Sequence, residues 1–322
     1  MHSIEELRNI FLEHLSKNTF TQTPYELYEP NNYFLQIGGK RLRPALLLLC
    51  TELFGGQYQA ALDVALATEY FHNFTLIHDD IMDNAPLRRG FQTIHEKYSL
   101  TTGILSGDVL MIHAYQCLSK VDEKYFKKSF DIFTKTAIEV CEGQQMDINF
   151  EQTVNITHQD YLEMIKLKTA VLLAASMQIG AIIGGADDKD AEAMYQYGLN
   201  LGIAFQIQDD ILDCFGKPEQ TGKQQGGDII QNKKTLLLLE AIRRSGQNND
   251  NKIIDALKIA DTEQKLQIIL ALFDTYHIRE YAIEIREYYL TQSLYHLSLI
   301  NLDNEKKDIL KQLTKYLIFR NS

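Results

Sequence analysis

The chain has 322 residues and a formal net charge of −11, with 45% hydrophobic and 23% charged residues. That is the composition of an ordinary soluble globular protein, long enough to bury a core without metal or disulfide staples. The acidic balance excludes a general nucleic-acid binder, which needs a basic stripe. With only 18 glycines and 5 prolines, the chain has room for long helices and little room for many hairpins.

Met1 to Arg8 is acidic and amphipathic, unlike the basic and then apolar start of a secretory leader. Pro44 at a first helical position, Ala45 to Phe54 and then Gly55-Gly56 give a helix with its start and stop in place. From Ala61, Val64, Ala67, Phe71, Phe74 and Ile77 recur at helical spacing, so this helix runs to Asp83 and ends near Pro86. Gly107 to Leu118, Tyr125 to Met146, Tyr161 to Gly184 and Asp190 to Asp213 read as further helices, and Ile253 to Arg320 is amphipathic without a proline. Thr169 to Ala186 carries no charge and just reaches membrane-spanning length; its Ser176, Gln178, Gly180, Gly184 and Gly185 favour a buried core helix, so no membrane span is expected. The cysteines, Cys50, Cys117, Cys141 and Cys214, form no CxxC pair, and buried free thiols in a reducing, cytoplasmic compartment are expected. Strand-like alternation is nowhere sustained and no linker divides the chain. The fold class is therefore all-α, a single domain over residues 1–322 with about ten or more helices packed as a bundle.

One short echo carries chemistry. Residues 76–83, LIHDDIMD, match residues 206–213, QIQDDILD, at five of eight positions, each closing a long apolar helix. Residues four apart share a helix face, so Asp79 lies above Asp83 and Asp209 above Asp213. Like charges at that spacing repel, and the helix C-terminus disfavours anions further, so a cation should compensate. Oxygen-only ligands at this spacing suit Mg²⁺, which binds through one or two carboxylates plus substrate phosphates. Basic residues stand in short, specific settings around these motifs: GGKRLRP (38–44), RRG (88–90), Lys168-Thr169, and GKQQGGD (222–228) followed by Lys233-Lys234-Thr235. The spacing is not that of a P-loop. Together, the carboxylates and the basic residues describe a pocket for Mg²⁺-bridged diphosphate.

With LSGD (105–108) and FQIQDDILD (205–213) added, this set resembles the trans-isoprenyl diphosphate synthases of the polyprenyl synthetase family, from Gly38 to Thr235 by motif. Leu167 departs from the family, standing where many members have Gly before the Lys-Thr pair. The resemblance implies an isoprenoid synthase-type bundle of antiparallel helices around a central cavity, usually a homodimer. It implies three Mg²⁺, with Asp79, Asp83 and Asp209 as direct ligands and Asp80, Asp210 and Asp213 behind them or acting through water. Arg88, Lys168, Lys223 and Lys233 would bind an allylic diphosphate, and Lys40, Arg43, Arg89 and His95 isopentenyl diphosphate. The allylic cation would be steadied by the Thr169 hydroxyl, the Lys168 carbonyl and the Gln206 amide. In this family the position five before the first aspartate, here Phe74, commonly floors the product tunnel; Phe71 lies one turn deeper, and Thr75 is small. That pattern favours a 20-carbon product, with 15 carbons second. A class I terpene cyclase should carry an Asn/Ser/Glu metal motif in place of Asp209 to Asp213, and a silent modulating subunit should have lost a motif; neither departure is present.

Overall fold

A computed structural model describes residues 1–153, 155–216, 225–248 and 250–319. Helix makes up 79% of it. In chain order the elements are α1 (Ile4–Ser16), α2 (Tyr25–Gln36), α3 (Leu42–Leu53), α4 (Leu62–Met82), β1 (Leu87–Arg88), β2 (Phe91–Gln92), α5 (Ile94–Lys97), α6 (Leu100–Leu118), α7 (Glu123–Gln152), α8 (His158–Ile165), α9 (Val171–Gly184) and α10 (Asp188–Phe215). They continue as α11 (Gly227–Ile230), α12 (Leu236–Gln247), α13 (Lys252–Ala256), α14 (Thr262–Thr275), α15 (Ile278–Leu299) and α16 (Asn304–Phe319). A π-helical turn, Lys166–Ala170, joins α8 to α9.

The chain gathers into two compact units, Met1–Ala137 with Ala175–Tyr195, and Ile138–Ala174 with Gln196–Ser322. In the first, α4 packs along α6, and glycine sets how close they come. A Cβ on Gly107 would stand 2.5 Å from Cδ2 of His78, and one on Gly103 2.9 Å from Cδ1 of Ile81. The glycines of the uncharged stretch have the same use, since a Cβ on Gly180 would stand 3.0 Å from the Leu47 carbonyl carbon of α3. The helical run His158–Gly184 is long and apolar enough to cross a membrane, but 83% of its most apolar window is buried in the protein. It is a core helix, as its polar and small residues predict.

Three local readings are corrected. Pro44 is third in α3, not first; Arg41 precedes the helix in left-handed conformation at φ 48°, and Pro44 still falls in the first turn, where a missing N–H costs nothing. α6 begins at Leu100, seven residues before Gly107, because the Ser99 hydroxyl accepts the Thr102 N–H at 3.0 Å and caps it. A β-hairpin follows α4, pairing Leu87 with Gln92 and Arg88 with Phe91. Its strands are too short for alternation to show, and its turn residues Arg89 and Gly90 both take positive φ, as a two-residue hairpin turn requires. All four cysteines are free; Cys50, Cys117 and Cys214 are buried as expected, whereas Cys141 is exposed.

Candidate active site

The first aspartate motif ends α4, with Asp83 as its C-cap. The hairpin turns the chain back so that Arg88 forks across it, donating from Nε to Asp80 at 2.7 Å and from Nη2 to Asp79 at 3.0 Å. Arg88 is thus already the counter-charge that two carboxylates at a helix C-terminus need. Asp80 is buried; burial pushes its carboxyl up to about 6 against the pull of Arg88. Its second oxygen, Oδ2, is buried without a hydrogen-bond partner.

The GGKRLRP segment lies in the same unit. Arg89 donates to the Gly38 carbonyl, and its guanidinium covers Gly39 so closely that a Cβ there would stand 2.8 Å from Nη1. Arg41 is buried and pairs with buried Glu69, which also accepts from Asn73 at 2.7 Å. This ion pair holds the left-handed turn between Lys40, which is exposed, and Arg43. Nη1 of Arg43 stands 3.2 Å from Nε2 of His72, while its Nε is buried without a partner. Burial, and then Arg43, Arg89, Arg41 and Arg88, hold the His72 imidazole well below its usual pKa, so it faces Arg43 uncharged. Several guanidiniums around a neutral imidazole, with one buried donor unused, form a site for an anion. His95 is near enough to the first motif for its charge to act on Asp80; it stands 3.7 Å from the Glu96 carboxylate, and both its ring nitrogens are buried without a hydrogen-bond partner.

The second unit holds Lys168, Thr169, Gln206 and the second aspartate motif. Lys168 and Thr169 fall on the π-turn between two glycines. A Cβ on Gly143 of α7 would stand 2.8 Å from Cα of Lys168, and one on Gly202 of α10 would stand 2.8 Å from Cα of Ala170. Lys168 Nζ reaches Asp147 of α7 at 2.6 Å. The Thr169 hydroxyl donates to Oε1 of Gln206 at 3.3 Å, Nε2 of Gln206 donates to Oδ1 of Asp210 at 3.1 Å, and the Tyr161 hydroxyl donates to Oδ2 of Asp210. Burial pushes both Asp210 and Tyr161 well above their usual values. Asp209, one position before Asp210, is half-buried. Asp213 accepts the Asp228 backbone N–H at 3.0 Å, joining the second motif to α11. Lys233 is exposed, whereas Lys234 turns away to the carbonyls of Phe150, at 2.5 Å, and Thr153. Lys223 lies outside the described residues.

The three residues expected to set product length sit on α4. Phe71 and Phe74 are buried, their ring centroids 5.6 Å apart, and Phe71 meets Phe133 edge-on at 5.5 Å. Thr75 is half-buried and bonds back to the His72 carbonyl at 2.8 Å. His78 closes the row, T-shaped on Phe74 at 4.8 Å.

The donor set fits Mg²⁺. It is oxygen-only, placed at helical spacing, and leaves one buried carboxylate oxygen of Asp80 unsatisfied. Among the described residues no three His, Cys, Asp or Glu side chains converge as a complete metal cage, and Mg²⁺ characteristically completes its shell with phosphates and water. Sequence reasoning missed His72, Asp147 and Tyr161. His72 and Tyr161 each stand seven residues before a predicted site residue, Asp79 and Lys168, and so two helical turns away on the same face; that spacing is the signal that could have found them.

The family model described as Polyprenyl synthetase matches residues 24–273. A geranylgeranyl diphosphate synthase of Methanosarcina mazei is 38% identical over 299 residues, 92% of this chain and 90% of its own. A geranylfarnesyl diphosphate synthase of Natronomonas pharaonis is 36% identical, covering 99% of this chain and 97% of its own. A crystal structure of a geranylgeranyl pyrophosphate synthase matches with a TM-score of 0.95 and 40% identity over 100% of both chains. The two aspartate motifs and the arginine cluster thus sit on the all-α fold of these enzymes, and the chain belongs to the polyprenyl synthetase family.

Proposed function

We propose that this chain is a Mg²⁺-dependent trans-prenyltransferase. It condenses isopentenyl diphosphate head-to-tail with allylic diphosphates into a short-chain all-trans prenyl diphosphate. The observation that carries this reading is the presence in one chain of two intact aspartate motifs and a separate arginine-rich anion site around Arg43 and His72. A cyclase has no use for a second diphosphate site. Asp79, Asp83 and Asp209 would hold the metal, three ions per site, with Asp80, Asp210 and Asp213 behind them. Bound there, Mg²⁺ supplies Lewis-acid stabilisation of the leaving diphosphate.

Arg88, Lys168, Lys223 and Lys233 bind the allylic diphosphate, Arg88 and Lys168 exchanging their present carboxylate partners for phosphate oxygens. Lys40, Arg43 and Arg89 bind isopentenyl diphosphate, with His72 beside Arg43; His95 is the remaining candidate there. The Thr169 hydroxyl, the Lys168 carbonyl and the Gln206 amide oxygen face the allylic cation as the C–O bond ionises. The isopentenyl double bond attacks that cation, and the departing diphosphate takes the proton. Apolar walls exclude the water that would quench it.

Buried Phe74 supports a 20-carbon product, with 15 carbons second. The exposed apolar stripe Ile104, Leu105 and Ile112 on α6, with Phe130 of α7, supports a homodimer with a second copy covering it. The scattered free cysteines support a cytoplasmic protein. The test is a product assay: isopentenyl diphosphate and Mg²⁺ with dimethylallyl, geranyl or farnesyl diphosphate in turn, the products dephosphorylated and identified by mass spectrometry. A linear 20-carbon alcohol is expected. A cyclic hydrocarbon formed without isopentenyl diphosphate would make the protein a cyclase, and no turnover from folded protein would make it a silent subunit.

A further inference from the structure

Gln206 has an amide whose two ends carry opposite partial charge, so its value beside a cation depends on which end faces it. Three hydrogen bonds within one unit decide this. Asp210 has both carboxyl oxygens engaged, Oδ1 by Nε2 of Gln206 at 3.1 Å and Oδ2 by the buried Tyr161 hydroxyl. With Oδ2 paired to the tyrosine hydroxyl, Oδ1 is an acceptor whether or not the acid holds a proton on Oδ2, so the Gln206 NH₂ turns to Asp210 and its carbonyl oxygen away from it. That oxygen accepts the Thr169 hydroxyl proton at 3.3 Å, which leaves the lone pairs of Thr169 pointing outward. The chain Tyr161–Asp210–Gln206–Thr169 therefore presents two oxygens and no N–H group toward the place assigned to the allylic carbon.

We propose that Tyr161 is a positioning residue for the prenyl transfer: by holding Asp210, it fixes the Gln206 amide with its oxygen toward the developing cation. The inference rests on the prenyltransferase reading above. Without the tyrosine hydroxyl, the Asp210 carboxyl loses one of the two bonds that fix its plane, and Gln206 is free to flip its NH₂ toward the cation. Outer hydrogen-bond partners of this kind are worth about 10–100-fold in activity. Both diphosphates are held by other residues, so the loss falls on kcat and not on KM.

The experiment uses the purified full-length chain with isopentenyl and geranyl diphosphate, comparing wild type, Tyr161→Phe, Gln206→Ala and the double variant. Wild-type turnover is measured first; its absence would overturn the prenyltransferase reading and this inference with it. With an active wild type, Tyr161→Phe should lower kcat about tenfold while both KM values stay within about twofold, and in the Gln206→Ala background it should change kcat less than about twofold. An unchanged kcat, a loss confined to KM, or an equal tenfold loss in both backgrounds would overturn the proposal and leave the function standing. Should Tyr161→Phe fold poorly, Asp210→Asn serves instead. Asparagine offers an NH₂ that a flipped Gln206 can pair with, so kcat should fall at least about fivefold more in the wild-type background than in Gln206→Ala; an equal loss in both would place the effect in the second aspartate motif and overturn the proposal.

Discussion

Gly143 lies inside α7, where replacing glycine by alanine ordinarily stabilises a helix by about 1 kcal/mol. Here the sign should reverse. The added methyl would stand 2.8 Å from the Leu167 carbonyl carbon and from Cα of Lys168, and closer still to the Lys168 nitrogen. These are backbone atoms, which cannot rotate aside, so α7 and the π-turn must part by roughly 1 Å to restore ordinary contact near 3.5–4.0 Å. Overpacking of that kind costs about 1–3 kcal/mol, which offsets or outweighs the gain in propensity of about 1 kcal/mol and leaves Gly143→Ala destabilised by up to about 2 kcal/mol. The same displacement carries Lys168 and Thr169 with it, and a shift of about 1 Å in a positioning element can cost about 10²-fold in rate. Equilibrium urea unfolding and steady-state kinetics read the two effects. Gly246 of α12 is the control, since a Cβ there meets nothing within 4 Å; Gly246→Ala should gain about 0.5–1 kcal/mol. If Gly143→Ala were as stable as Gly246→Ala and kept its kcat, the close backbone approach would not be what fixes the π-turn.

Phe74→Ala opens the space below the first aspartate motif and should lengthen the product by one or more five-carbon units, read by mass spectrometry of the dephosphorylated alcohols; an unchanged spectrum would remove Phe74 as the floor. Glu69→Ala leaves the Arg41 guanidinium buried without its counter-charge and should cost about 3–5 kcal/mol, measured by urea denaturation; a loss below about 1 kcal/mol would mean the pair does not hold the turn. The Asp80 carboxyl, at about 6 in the fold against 3.8 as its ordinary value, binds its proton more tightly folded than unfolded. Its stabilising contribution is therefore full below about pH 4 and is lost as pH rises to about 6, a change of about 3 kcal/mol. The stability of wild type relative to Asp80→Asn should fall over that window in metal-free buffer, and parallel denaturation profiles would show that burial does not dominate at Asp80.

What was legible in the sequence follows from what periodicity records. The burial of α4, α9 and α10 is written in apolar spacing, and the motifs DDIMD and DDILD are local, so fold class and both aspartate clusters could be read without coordinates. Contacts between segments distant in the chain leave no such trace. The seven-residue spacing of Tyr161 and Lys168 puts them on one face, but nothing local announces that Tyr161 meets a carboxyl 49 residues on, or that Asp147 meets Lys168 across 21 residues. Within GGKRLRP the expected diphosphate ligands are Lys40 and Arg43, and burial divides the segment in a way its charges do not announce: Arg41 between them turns inward to Glu69, while Lys40 is exposed. Arg88 shows the same limit from the other side. Its charge and its place after the first motif were legible, but its present partners, Asp79 and Asp80, depend on a two-residue hairpin whose turn, Arg89-Gly90, lacks the usual Asn-Gly signal. On the proposed function, Arg88 would release Asp79 and Asp80 to the metal and take the diphosphate oxygens in their place, so the counter-charge it now supplies to the motif would pass to the substrate.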